Sequence, residues 1–188
     1  MKQKLYFLTL FLFSIVANAQ KEEILAQIIK QNNDTINSTI IVDVNFFDNK
    51  MVNELSIIKK VKILDSNGKK TKLEAKEIKE LKFTDLKNKK RIFKFDGKKQ
   101  LRELIYEGKT KAYYEYSANL YDGSKIIHIE FYYENGERVK AGAFSSSKAT
   151  LKKIVQDNET LLKFIDETKL THEETIIYVL TQFDASKK

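Results

Sequence analysis

Chemistry at neutral pH needs an activated nucleophile, a set of metal ligands or a matched acid and base, and this chain offers few of them. It has no cysteine and two histidines, which removes cysteine nucleophiles, cysteine zinc sites and disulfide scaffolds. His128 stands two positions before Glu130, so in a strand the two share a face and could act as acid and base, but no nucleophile motif accompanies them. His172-Glu173 matches the opening of a zinc-protease helix, whose second histidine would fall at 176, where the chain has isoleucine. Next to Thr171, His172 reads as part of a helix start. There is no Walker loop, no dinucleotide glycine fingerprint and no Gly-x-Ser-x-Gly elbow. Carboxylates are plentiful, yet their spacing selects no pair that would flank a glycosidic bond. The expectation is a protein with no catalytic residues, no metal and no cofactor.

Two groups of residues suit binding. Seven tyrosines lie between positions 106 and 133. Tyrosine presents a rigid apolar ring with a polar tip, suited to a sugar, lipid or protein surface. Tyr106, Tyr114, Tyr116 and Tyr133 are the candidate ligand-binding residues; Tyr114 and Tyr116 share a face in a regular strand, with Ala112 leaving room beside them. Neighbours such as Tyr113 must point the other way, and cross-strand pairing within hairpins would equally account for them. The second group is basic: residues 59–111 carry 19 Lys/Arg against 8 Asp/Glu. Lys59, Lys60, Lys87, Lys89, Lys90 and Arg91 are its candidate surface residues, facing an acidic partner. Alternatively they are a solvated lysine-rich sheet edge that discourages aggregation. With three arginines in the whole chain, bidentate phosphate recognition is poorly served, and nucleic acid is not an expected partner.

The elements that must position these residues are legible in outline. Lys2 and Lys4, an apolar run from position 5 to 16 and the small residues Ala17-Asn18-Ala19 read as an export signal cleaved after residue 19. The apolar run is too short to cross a bilayer, and no transmembrane segment is expected after cleavage. Asn67-Gly68, Asp96-Gly97, Glu107-Gly108, Asp122-Gly123 and Asn135-Gly136 mark turns. Between them, period-2 patterns predict strands from Thr35 onward and over 55–64, 91–95, 100–106, 110–120 and 125–133. Ile78 and Leu81 at helical spacing predict a short helix over 74–81. Three helices should close the chain: one capped near Ser145-Ser146-Ser147, one from Asn158, and one after Thr171, whose Glu174 completes a capping box. Strands first and helices last argue for α+β. Residues 1–19 are then the signal, and 20–188 form one domain, β-rich over 20–140 and helical over 145–185.

Several stretches resemble a group of secreted proteins of Bacteroidota that carry a signal peptide, a β-rich body and C-terminal helices. Ile28-Ile29-Lys30 leading to Asn33-Asp34-Thr35-Ile36 is similar to the group's opening strand, turn and second strand. Val61-Lys62-Ile63, Asn67-Gly68-Lys69 and Glu77-Ile78-Lys79-Glu80-Leu81 resemble its next strand, turn and short acidic segment, with Glu77 in place of Asp and Glu80-Leu81 in place of Gly-Phe. Leu104-Ile105-Tyr106-Glu107-Gly108-Lys109 looks like the strand that precedes its tyrosine-rich strand. The resemblance implies no activity and no catalytic residue.

The fold expected is α+β: an antiparallel β-meander or partly closed barrel with two or three C-terminal helices. The function expected is that of an exported, non-enzymatic envelope protein, in the periplasm or outside the cell, binding a small ligand or a protein partner. A carboxylate-dependent hydrolase of envelope sugars or lipids, and an adaptor or immunity-type protein docking an acidic partner, are the alternatives.

Overall fold

The computed structural model describes residues 20–45, 48–65, 67–142, 146–168 and 173–186. The expected export signal, Ser145, Thr171 and His172 lie outside them. Nine strands form one sheet: β1 Lys21–Lys30, β2 Thr35–Asp43, β3 Lys60–Leu64, β4 Lys70–Glu74, β5 Ile78–Thr84, β6 Lys90–Phe95, β7 Leu101–Glu107, β8 Thr110–Ala118 and β9 Lys125–Tyr133. Their order is β4-β3-β2-β1-β5-β6-β7-β8-β9, antiparallel throughout and not closed. Three helices follow, α1 Ser147–Ile154, α2 Glu159–Glu167 and α3 Glu173–Ser186. This is the α+β meander with C-terminal helices that the sequence pattern predicts.

Period-2 alternation puts one apolar face on the sheet. A single cross-strand row on that face runs Ile28, Leu81, Phe93, Glu103, Tyr114, Ile129 from β1 through β9. Two covers bury it. Residues 48–58, with a 3-10 turn over Glu54–Ser56, form a strap over its β6–β8 part, where Leu101 N–H donates to Ile58 O at 2.7 Å. The helices cover its β7–β9 part, turning Leu151, Ile154, Leu161, Ile165, Ile176, Val179 and Leu180 inward. Tyr114 packs against both clusters and sits at their seam. The first two helices start where caps satisfy free N–H groups: Ser146 Oγ accepts from Ala149 N and Asn158 Oδ1 from Leu161 N.

Three elements differ from expectation, each for a physical reason. Residues 74–81 are not a helix; a 3-10 turn over Ala75–Glu77 leads straight into β5. The helical spacing of Ile78 and Leu81 comes from a β-bulge: Lys30 faces Ile78 while Ile29 faces Glu80, so Lys79 is the extra residue that shifts the apolar beat by one. The expected strand over 55–64 begins only at Lys60, because Ile57 and Ile58 belong to the strap and are buried beneath it. Neither β4, Lys-Thr-Lys-Leu-Glu at the sheet edge, nor β1 has the composition that announces a strand; lysine at an edge is what keeps it from pairing with another chain.

The hairpin turns rest on aspartates as much as on glycines. Asp65 Oδ1 accepts from the N–H groups of Asn67 and Lys69, and Asp85 Oδ1 from those of Lys87 and Lys89. The left-handed residue is Gly68 in the first turn and Asn88 in the second. Gly108 serves a different need. The β7–β8 turn receives α3, where Asp184 Oδ2 accepts from Lys109 N–H at 2.9 Å and from Tyr106 Oη at 2.8 Å. A Cβ on Gly108 would collide with that carboxylate and lie 2.7 Å from Tyr106 Oη. Gly108→Ala should therefore destabilise the fold by about 1–3 kcal/mol, read from urea unfolding, as for other overpacked sites.

Candidate functional site

Glu103 interrupts the apolar row between Phe93 and Tyr114, and its carboxylate is 2% exposed at residue level. An isolated charge there would be prohibitive, so partners converge on it. Arg91 Nε donates to Glu103 Oε1 at 2.8 Å, and Arg91 Nη2 donates both to Glu103 Oε2 and, at 2.7 Å, to Glu54 Oε1 of the strap. Tyr116 Oη donates to Glu103, and Lys125 Nζ reaches Glu54 Oε2 at 2.6 Å. Lys89 bridges from the same strand pair to Glu173 at the start of α3 at 2.5 Å. Strap, sheet and helix are thus joined through one charged node.

Protonation follows from this geometry. Burial works to raise the Glu54 carboxyl, but the Arg91 charge and the hydrogen bonds from Lys125 and Arg91 outweigh it and hold it below its usual 4.5. Burial and the Glu103 charge push the Tyr116 phenol up, so it stays a donor. Every charge in the node is already answered, and the node acts as a clamp.

Four of the ten sequence-predicted residues, Tyr106, Tyr114, Tyr116 and Arg91, prove to be buried or half-buried parts of the packing. Tyr116 is buried in the node, and Tyr114 is half-buried at the seam, where burial pushes its phenol up to about 12. Tyr106 is engaged with Asp184 in docking α3. Arg91, expected on the basic surface, is buried, because a guanidinium is what two interior carboxylates require. The other basic candidates, Lys59, Lys60, Lys87, Lys89 and Lys90, are exposed, and of these Lys60 pairs with Glu74, Lys87 with Asp48 and Lys89 with Glu173. Several carboxylates drawn to the basic stretch come from outside it, which is why the charge of 59–111 does not appear as one patch. His128 is exposed, and Glu130 is committed elsewhere, to Arg138 at 2.6 Å and the Tyr132 hydroxyl at 2.5 Å.

Two concavities are large enough to take a small molecule of ordinary size. The larger, a cleft of about 1030 Å³, opens at the corner where β1 parts from β5: β1 pairs with β2 from Lys21, but with β5 only from Ala26. Leu25, Ala26, Ile36, Ile63, Leu64, Phe83 and Ile92 line it, with Lys82, Lys90, Asp65, Ser38 and Thr39 among its polar members. Leu25 is 80% exposed although it lies in mid-strand. Sequence reasoning missed this site because it forms where a register ends, and the strand that creates it was not visible in the periodicity.

The second, of about 670 Å³, is a polar groove on the outer side of β7–β9. Its floor is Arg102 held between two rings, 5.0 Å from the Tyr113 centroid and 4.5 Å from that of Tyr132. Glu115 and Glu130 are hydrogen-bonded carboxyl neighbours here. Burial and the bond to Glu130 raise Glu115; for Glu130 the bonds from Tyr132 and Glu115 and the Arg138 and Arg102 charges overcome burial and hold it low. Carboxyls in direct contact stand closer than the roughly 5–9.5 Å that glycosidic hydrolysis uses. Tyr133 sits at the groove's mouth, 39% exposed.

Neither site has a counterpart to lean on. Comparison of the chain with protein-family models, curated proteins and solved structures found no match. Among the described residues no group of three or more His, Cys, Asp or Glu is placed to hold a metal ion, and no helix is long and apolar enough to cross a membrane.

Removing the central cation tests the clamp. Arg91→Met leaves Glu54 and Glu103 buried without their partner and should cost about 3–5 kcal/mol in urea unfolding at pH 7. The pH dependence has a definite sign. Glu54 binds its proton more weakly folded than unfolded, so its contribution is present above about pH 4.5 and is lost as pH falls further. Stability should drop on acidification in the wild type, and this part of the drop should shrink in Arg91→Met.

Proposed function

We propose that the protein is a non-enzymatic binding protein, exported as its first nineteen residues suggest, that holds an amphipathic ligand with an apolar chain in the cleft beside β1. The observation that carries this reading is the cleft itself. At about 1030 Å³ it matches the upper range of small-molecule sites, roughly 300–1,000 Å³, and its lining is mainly aliphatic and aromatic with a few polar groups. Lys90 is exposed at the cleft and forms no ion pair among the described residues, so it is placed to meet an anionic head. Leu25, 80% exposed in mid-strand, adds an apolar side chain that a bound ligand would cover.

Palmitate is a suitable probe, titrated by calorimetry and counted by native mass spectrometry. One palmitate per chain is expected. Leu25→Glu, a substitution at an exposed position, should weaken binding by about ten-fold or more, equivalent to about 1.4 kcal/mol. Lys90→Glu should weaken palmitate more than the uncharged alcohol of the same chain length. Absence of binding, or equal binding by the Leu25→Glu variant, would overturn the reading.

A further inference from the structure

The outer groove of β7–β9 takes no part in the cleft, and its chemistry is of the opposite kind. Polar groups dominate it, and its floor is rigid: the Tyr113 and Tyr132 rings meet edge to face at 5.7 Å, and Arg102 is fixed between them and by Glu130 at 3.4 Å. Of the groove's carboxylates, Asp96, Glu115 and Glu130 are held from within, and Glu134 stands exposed on its rim. Arg102 and Arg138 answer Glu130, Gln100 Nε2 donates to Glu115 at 3.1 Å, and Asp96 is occupied by the N–H groups of Lys98, Lys99 and Gln100. Lys98 and Lys99 on one side and Lys140 on the other are exposed and make no ion pair among the described residues. With three such lysines against the single carboxylate of Glu134 the rim is net cationic, while the floor offers aromatic surface with hydroxyl and carboxyl groups.

We propose that this groove is a second binding site, for an anionic saccharide whose hydroxyls bond Glu115 and Tyr133 and whose carboxylates or phosphates meet Lys98, Lys99 and Lys140. An acidic peptide is the competing occupant, and the β9 edge argues against it. A peptide adding to a sheet needs a free strand edge. Residues 137–139 already take that place: Tyr133 N–H donates to Glu137 O at 2.9 Å and Val139 N–H to Phe131 O at 2.8 Å. A duplex or other large polyanion would need a broader basic face than three lysines provide. A saccharide instead uses both hydrogen-bonding senses of the floor and the exposed Tyr133 ring for stacking.

The test is titration of the ¹⁵N-labelled protein with hexagalacturonate, with maltohexaose and hexaglutamate as comparisons. The proposal predicts saturable shifts at the Arg102 Nε–H and at the amides of Lys98, Lys99, Tyr132, Tyr133 and Arg138. It predicts binding at least about ten-fold tighter for hexagalacturonate than for either comparison. The triple variant Lys98→Ala, Lys99→Ala, Lys140→Ala changes exposed residues alone and should retain the wild-type spectrum while losing about ten-fold in affinity. A hexose phosphate that competes with hexagalacturonate would show that the anion is read through charge rather than as a carboxylate specifically, within the same proposal. No saturable shift, equal binding of maltohexaose or hexaglutamate, or an unaffected triple variant would overturn it. Palmitate binding, measured at a cleft that shares no lining residue with this groove, is independent of every one of these outcomes.

Discussion

One guanidinium lying between two interior carboxylates is the constraint around which this structure is arranged. Glu103 occupies a core position in a row that is otherwise apolar, and Glu54 comes to the same place from a separate segment. Two such carboxylates can be buried together only if a cation with several donors reaches both at once, and Arg91 does so while Tyr116 supplies a further hydrogen bond. Apolar packing alone would let the strap over 48–58 slide on the sheet, since aliphatic contacts have little directional preference. The charged node gives it one position. Because Lys89 extends the same pairing to Glu173, the helical layer is registered against the sheet by a related interaction.

The placement of the two open sites follows from that arrangement. With strap and helices both on the apolar face, the interior is filled along β6–β9, and the cleft opens where β1 leaves β5. Its lining takes Ala26, Ile63 and Phe83 from the core face of the sheet and Leu25, Leu64 and Ile92 from the other face. On the side of the sheet away from strap and helices the alternation of β7–β9 brings Arg102, Tyr113, Glu115, Glu130 and Tyr132 together, and their polar groups make the groove there polar. A single β-meander thus presents an apolar concavity and a charged one without a second domain.

Much of the architecture was legible in residues of one kind of periodicity. The tyrosine-rich strands, their glycine-marked turns and the capped helices at Ser146 and Asn158 were visible because each signal is local. What was hidden depended on partners distant in sequence. The bulge at Lys79 made a strand look helical, and β1 and β4 had too little alternation to be seen, although β1 is the element shared by both halves of the sheet. For the sites, the tyrosines drew notice correctly as a group, but which of them face inward was decided by register: Tyr114 and Tyr116 point to the core, and Tyr133 alone of the four named lies at an open groove. Arg91 could not be told from a surface cation, since its burial depends on Glu54 and Glu103, which are 37 and 12 positions away.

The central claim is that the Arg91 node holds the strap on the sheet, and residue-resolved hydrogen exchange of Glu54→Gln tests it most directly. With the carboxylate charge removed and the side-chain shape kept, the amides of Ile57 and Ile58, which bond back to Glu54 O, and of Leu101, which bonds to Ile58 O, should lose protection by about ten-fold or more. Amides of β8 and β9 such as Ala112 and Phe131, and those of α2 and α3, should keep theirs. Unchanged exchange in the strap, or a loss of protection spread evenly through sheet and helices, would contradict the account.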